Sequence, residues 1–300
     1  MLTEQDRARG ALVGLACGDA VGTTVEFSPR GSFEPLIDMV GGGPFGLRPG
    51  EWTDDTSMAL CLAESLVRSK GFDARDQMQR YVRWFRSGYL SSTGECFDIG
   101  NTVRKALTDF ERTGDPFSGP THPRSAGNGS VMRLAPVVIA YYPSRDRVVR
   151  YAVESSRTTH GTREALDACA ILGGILVALL AGARKEAAIL DAPGWEISPG
   201  LKDVASGAYR DKSEAEITGS GYVVQSLEAA LWCFWQSSSF EEAVLRAANL
   251  GDDADTTAAV CGQLAGAHWG EPGIPGHWVD RLVMAGKIRA LADGLLAAAF

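Results

Sequence analysis

Apolar positions in this chain recur at intervals of three and four, the spacing that places side chains on one face of a helix. The pattern predicts a first helix over Asp6 to Ala20, with Ala8, Ala11, Leu12, Leu15 and Ala16 on one face. Gly10, Gly14 and Gly18 in the same stretch leave room for a closely packed neighbour. Residues 57–87 read as two helices, the second carrying Met78, Tyr81, Val82, Trp84 and Phe85 as core residues. A short helix is expected after Asn101, to about Glu111, and Leu134 to Tyr142 reads as helix despite Pro136. The longest apolar run, Ala168 to Ala183, contains three glycines and falls short of a membrane span, so a buried central helix is expected. An amphipathic helix covers Val223 to Trp235, a small-residue helix Ala258 to Ala267, and a last helix Trp278 to Ala299. Strand-like alternation is scarce. The expectation is an all-α chain forming one domain over 1–300, with a less patterned insertion near 184–220.

The polar residues that interrupt this pattern cluster at helix starts. Asn249-Leu250-Gly251-Asp252-Asp253-Ala254-Asp255-Thr256-Thr257 puts three carboxylates within four positions ahead of the small-residue helix. One aspartate there is an ordinary cap, favoured by the helix dipole. Three repel one another, which a bound divalent cation would relieve, and carboxylate plus hydroxyl oxygens suit hard ions. Trp52-Thr53-Asp54-Asp55-Thr56 repeats the formula some two hundred residues earlier. Either cluster alone is open to reading as a solvated cap; the pair, brought together by a fold, favours metal.

Other polar positions carry weaker signals. Asp19 and Glu26, taken by themselves, read as surface polarity. Asp98 and Asn101 fit a cap pair or substrate contacts. Gly127-Asn128-Gly129 offers free backbone N–H groups to an anion but is also a common tight turn. His160 before the long apolar helix reads as a structural cap. The glycine- and proline-rich stretch from Pro29 to Gly50 is too long to be an idle connection.

Composition narrows the field further. A net charge of −8 argues against a nucleic-acid footprint. Six scattered cysteines without a CxxC pair, in apolar helical surroundings, point to a reducing, cytoplasmic compartment rather than a zinc site or disulfide framework. The charged N-terminus shows no signal-peptide pattern. No Walker-type loop supports a phosphohydrolase.

Together and in this order, these motifs resemble the ADP-ribosylglycohydrolases, the family that includes the dinitrogenase-reductase-activating glycohydrolase. The resemblance runs from about Arg7 to Leu291 and rests on Gly18-Asp19-Ala20-Val21-Gly22, Val25-Glu26-Phe27, Trp52-Thr53-Asp54-Asp55-Thr56, Asp98-Ile99-Gly100-Asn101-Thr102, Gly127-Asn128-Gly129, Thr159-His160 and Gly251-Asp252-Asp253-Ala254-Asp255-Thr256. It implies an orthogonal helical bundle with two divalent cations, Mg²⁺ or Mn²⁺, in a cleft. By position it implies that Thr53, Asp54, Asp55 and Asp255 hold one ion and Asp253, Asp255 and Thr256 the other. It further implies catalytic roles for Glu26, Asp98 and Asp55. Gly127, Asn128, Gly129, Ser130 and His160 would contact diphosphate and ribose, and Tyr222 would supply an aromatic at the ADP-ribose site. The implied activity is hydrolysis of ADP-ribose from protein, at the N-glycosidic bond to arginine, by a monomer. Serine-linked or small-molecule conjugates, or a module that binds ADP-ribose without turnover, are the alternatives. One departure stands out: many members have a second glycine where this chain has Asp252.

Overall fold

The computed structural model describes residues 2–189 and 196–298, so the middle of the expected insertion, 190–195, lies outside the described residues. Among the described residues there are fourteen α-helices and no strand. The first, α1 (Glu4–Gly22), opens on a reciprocal cap between Thr3 and Asp6. Next, α2 (Asp54–Ser69), α3 (Ala74–Ser87) and α4 (Asn101–Thr113) each stop at a left-handed residue, Lys70, Gly88 and Gly114. The short α5 (Ala135–Tyr141) precedes α6 (Arg145–Arg157) and the central α7 (Arg163–Leu180), which is buried along most of its length. The remaining helices are α8 (Lys185–Ile189), α9 (Lys202–Ser206), α10 (Val223–Gln236), α11 (Phe240–Ala248), α12 (Ala254–Trp269), α13 (Gly276–Arg281) and α14 (Ala285–Ala298). One continuous apolar core draws residues from Ala8 near the start to Leu295 near the end.

The axis of this core is the antiparallel pair α1 and α12. Their backbones touch along a ladder at four-residue spacing: Gly10 against Gly266, Gly14 against Gly262, Gly18 against Ala258 and Gly22 against Ala254. A Cβ added at Gly18 would stand 2.1 Å from the Ala258 carbonyl oxygen, and one at Gly10 would stand 2.2 Å from that of Gly266. Only hydrogen fits there. The room left by Gly10, Gly14 and Gly18 is therefore filled by another helix backbone. The consequence for function is positional: the last turn of α1, with Asp19, is held beside the first turn of α12, with Asp255.

The single helix expected from Trp278 to Ala299 is instead two, α13 and α14, a correction with a tertiary cause. Leu282 takes an extended conformation and Met284 a left-handed one, φ +58°. No proline interrupts this stretch. The chain is pulled out of helix by the distant 50–52 segment: the Val283 N–H donates to the Gly50 carbonyl at 2.9 Å, and the Trp52 indole donates to the Val283 carbonyl at 3.2 Å. Those bonds seat the residues immediately before the Thr53-Asp54-Asp55 cluster. No helix among the described residues is long and apolar enough to cross a membrane.

Candidate active-site cleft

Two helix N-termini meet at the floor of a cleft of about 350 Å³. Neither helix is capped by its own preceding residue: Thr53 ahead of α2 and Asp253 ahead of α12 make no side-chain cap bond. Each cap comes from elsewhere in the chain. Asp19, at the end of α1, caps α2: its Oδ1 accepts from the Thr53 N–H (2.8 Å) and hydroxyl (2.9 Å), and its Oδ2 from the Thr56 N–H (3.0 Å) and hydroxyl (2.6 Å). Glu26 caps α12: its Oε2 accepts from the N–H groups of Ala254 (2.7 Å) and Asp255 (3.2 Å). Both acids are buried, at 0% and 4% exposure, so the reading of Asp19 and Glu26 as surface polarity is overturned. A signal for Asp19 was present in the sequence, because it lies four and three residues after Leu15 and Ala16, on the apolar face of α1.

The two clusters are stitched across the floor. The Thr53 hydroxyl also approaches Asp255 Oδ2 at 3.1 Å, and the Thr256 hydroxyl donates to Asp55 Oδ1 at 3.2 Å. Carboxylate oxygens converge in two groups, Asp19 with Asp55 and Asp255, and Glu26 with Asp253 and Asp255, each within 4.8 Å. Asp255 belongs to both. No lysine or arginine among the described residues pairs with these acids, and the consequence is electrostatic. Burial first, then the neighbouring carboxylates, push Asp253 up to about 7 and drive Asp54, Asp55 and Glu26 far above the usual carboxylate range. Burial and Asp98 raise Asp255 to about 7.

This donor set fits a divalent cation. Asp55 is fully buried, yet its Oδ2 meets no hydrogen-bond donor. A buried carboxylate oxygen without a partner is costly, and an oxygen-seeking cation supplies one. Asp19 is different despite its place in the first group: both of its oxygens already accept two bonds, which makes it a residue that orients Thr53 and Thr56 rather than a ligand.

The cleft walls carry most of the other expected residues. Asp98 takes a left-handed backbone, φ +57°, and lines the cleft beside Asp255; burial and then Asp54 raise its carboxyl to about 8. It is no cap partner for Asn101, since α4 is preceded by Gly100 without a side-chain cap. Asn128 donates to Asp253 Oδ2 at 2.9 Å and to the Ser226 hydroxyl at 3.1 Å, tying the Gly127–Gly129 loop to the acidic floor. His160 packs against that loop and lines the cleft rather than merely capping α7, whose cap is Thr162. Two expected contacts lie off the lining. The Ser130 hydroxyl is buried and accepts from the Cys169 thiol, and Tyr222 turns its hydroxyl to Glu164, although its backbone bridges Gly127. Phe27 lines the mouth, 65% exposed and left-handed at φ +62°, with its ring edge-on to Phe45. Asp252 is exposed at φ +56°, outside both groups; its backbone exchanges hydrogen bonds with Phe27 and Ser28.

Comparison with known proteins gives this cleft a context. A family model described as ADP-ribosylglycohydrolase matches residues 1–300. The chain is 47% identical over 290 residues to the ADP-ribosylarginine hydrolase Tri1 of Serratia proteamaculans (strain 568), an alignment covering 97% of this chain and 79% of that protein. It is 32% identical over 300 residues to the ADP-ribosyl-[dinitrogen reductase] glycohydrolase of Rhodospirillum rubrum, covering 98% and 97% of the two chains. A solved structure titled "ADP-ribosylglycohydrolase-related protein complex" superposes with a TM-score of 0.88 at 45% identity over 99% of both chains.

Proposed function

This chain belongs to the ADP-ribosylglycohydrolase family of glycosidic-bond hydrolases, and we propose that it removes ADP-ribose from arginine side chains of modified proteins with the help of two divalent cations, Mg²⁺ or Mn²⁺. The linkage is supported by the names of two relatives, both ADP-ribosylarginine hydrolases, at 47% and 48% identity. The observation that carries the metal reading is the meeting of two acid-bearing helix N-termini around one shared carboxylate, Asp255, beside the unpartnered Asp55 Oδ2. In this reading Thr53, Asp54, Asp55 and Asp255 would hold one ion, and Asp253, Asp255 and Thr256 the other. When bound, such ions would supply Lewis-acid chemistry, polarising substrate oxygens and the attacking water at the floor.

The remaining steps belong to the chain's own residues. The Gly127–Gly129 loop and His160 hold the diphosphate and ribose against the cleft wall, with the anomeric carbon over the acidic floor. Glu26, anchored through one oxygen to the α12 N-terminus, would accept the proton of the attacking water once cations on the floor outweigh the burial and the negative charge of Asp255 and Asp253 that keep it protonated in the metal-free fold. Asp98, beside Asp255 at the edge of the floor, delivers a proton to the departing guanidine nitrogen. Positive charge developing on the ribose ring is stabilised by the surrounding carboxylates.

The test is release of free ADP-ribose from arginine-linked and serine-linked substrates, each with Mg²⁺, with Mn²⁺ and with chelator. Release from arginine only, abolished by chelator, is expected. Release from serine alone would overturn the linkage, and chelator-insensitive release would overturn the metal reading.

A further inference from the structure

Behind the Gly127–Gly129 loop lies a buried cation that the proposed reaction does not use. Arg133 is 0% exposed and has no carboxylate partner among the described residues. Its Nη1 donates to the Gly129 carbonyl at 2.5 Å, its Nη2 to the Thr159 hydroxyl at 2.6 Å, and its guanidinium stands 4.8 Å from the centre of the Tyr81 ring. Its Nε finds no acceptor. A guanidinium taken out of water without a counter-ion is expensive, so the placement calls for a reason. Thr159 supplies a lead, since its hydroxyl also lies 2.9 Å from His160 Nδ1.

The proton inventory of this chain has one economical solution. Arginine can only donate, so the Thr159 oxygen accepts from Arg133. The single hydroxyl proton of Thr159 then goes to its other neighbour, His160 Nδ1. The opposite arrangement, with Nδ1–H aimed at the same oxygen, would point two donors at Thr159 and strand its own proton in a buried place, a costly outcome. The field of Arg133 acts in the same direction, drawing the lone-pair side of the imidazole inward and its N–H outward. Burial, and secondarily the Arg133 charge, hold the ring neutral, lowered to about 3. The outward nitrogen is Nε2, and it faces the loop that walls the cleft: a Cβ added at Gly127 would meet it at 3.3 Å.

We propose that Arg133 and Thr159 are positioning residues that lock His160 as the Nε2–H tautomer, so that a neutral imidazole backed by a buried cation donates to a phosphate oxygen of the bound nucleoside diphosphate sugar. The phosphate assignment rests on the ADP-ribose reading of the cleft given above; the tautomer does not. The arrangement brings positive potential to the loop without a mobile cation in the cleft, where it would compete for the acidic floor.

The experiment is ¹⁵N correlation spectroscopy of histidine-labelled full-length protein, with His160 assigned by its loss in His160→Gln. Wild type is expected to show an acceptor Nδ1 and a protonated Nε2 as a single tautomer at neutral pH. Thr159→Val should move the two nitrogens toward tautomer averaging, and Thr159→Ser should restore the wild-type pattern. In titrations, Thr159→Val should weaken ADP-ribose by about tenfold or more, the scale of a hydrogen bond to a charged group. Adenosine, which lacks phosphate, should bind the two proteins alike. A wild-type spectrum with protonated Nδ1 would overturn the lock whether or not Thr159→Val folds. Equal weakening of adenosine and ADP-ribose would overturn the phosphate contact. A correct tautomer in a protein that fails to release ADP-ribose from arginine would leave the lock standing and count against the proposed reaction instead.

Discussion

The N-termini of α2 and α12 carry similar sequences, two acids among threonines, and each is capped by an acid from another part of the chain. The caps differ in how much of each carboxylate the fold consumes. Asp19 spends both oxygens on four donors of Thr53 and Thr56. Glu26 commits only Oε2 to the α12 backbone, lines the cleft, and faces the carboxylates of Asp253 and Asp255. One capping acid is part of the scaffold; the other keeps capacity for chemistry. Burial alone would have ranked them together.

Exchanging the two amides breaks this comparison most directly and carries the largest effects. Glu26→Gln keeps the backbone cap through its amide oxygen but loses the proton acceptor, so turnover should fall on the order of 10²-fold or more with little change in melting temperature. In Asp19→Asn the amide nitrogen cannot accept from Thr56. Stability should fall by about 3 kcal/mol, and metal affinity by about 10- to 100-fold as Thr53 and Asp55 lose their alignment. Calorimetric unfolding, metal titration and turnover of both variants check this. Wild-type metal affinity in Asp19→Asn, or wild-type turnover in Glu26→Gln, would contradict the division of roles.

A smaller effect comes from the shared acidic floor. Asp253, Asp255 and Asp98 hold their protons to about 7, 7 and 8 in the metal-free fold, far above the ordinary carboxylate value. The native state then binds more protons than the unfolded chain from about pH 4 upward. Stability of the metal-free protein should therefore be greatest in mild acid and decline as pH rises through 7 and 8, and the decline continues above that because Glu26, Asp54 and Asp55 hold their protons higher still. Added Mg²⁺ or Mn²⁺ replaces those protons, so its stabilisation should be small at pH 5 and on the order of 5 °C in melting temperature at pH 8. Melting scans at both pH values, with and without metal, check the sign.

The smallest expected effect is at Asp252, which holds a left-handed backbone with its side chain outside the acidic groups. Asp252→Gly should stabilise the fold by about 1 kcal/mol and leave turnover within about twofold. A large loss of activity would show that the Asp252 carboxylate serves the floor after all.

Helices were legible where one stretch decided them. The apolar stripe of α1, the aromatic face of α3 and the acids that open α2 and α12 all announced themselves through local spacing. What the spacing could not report was pairing at long range. The break between α13 and α14 is set by Gly50 and Trp52, more than two hundred residues away. Glycines at 10, 14 and 18 signalled a close neighbour without naming α12. Asp19 and Arg133 were hidden for the same reason: each is a charged residue with hydroxyl partners far along the chain, Thr53 and Thr56 for the one and Thr159 for the other, which local spacing does not reveal. Asp98 could not be told from a helix cap until its left-handed backbone placed it on the cleft wall.

The measurement that tests the central claim most directly is metal stoichiometry by equilibrium dialysis, with wild type and Asp255→Asn compared at pH 8. If Asp255 is shared between two cation sites, wild type should hold two Mn²⁺ ions per chain. The variant should lose both sites' affinity together while keeping its helical spectrum, with ADP-ribose release lowered by at least about 10³-fold. A wild-type chain that holds no ion, or a variant that keeps one site at full affinity, would contradict the account.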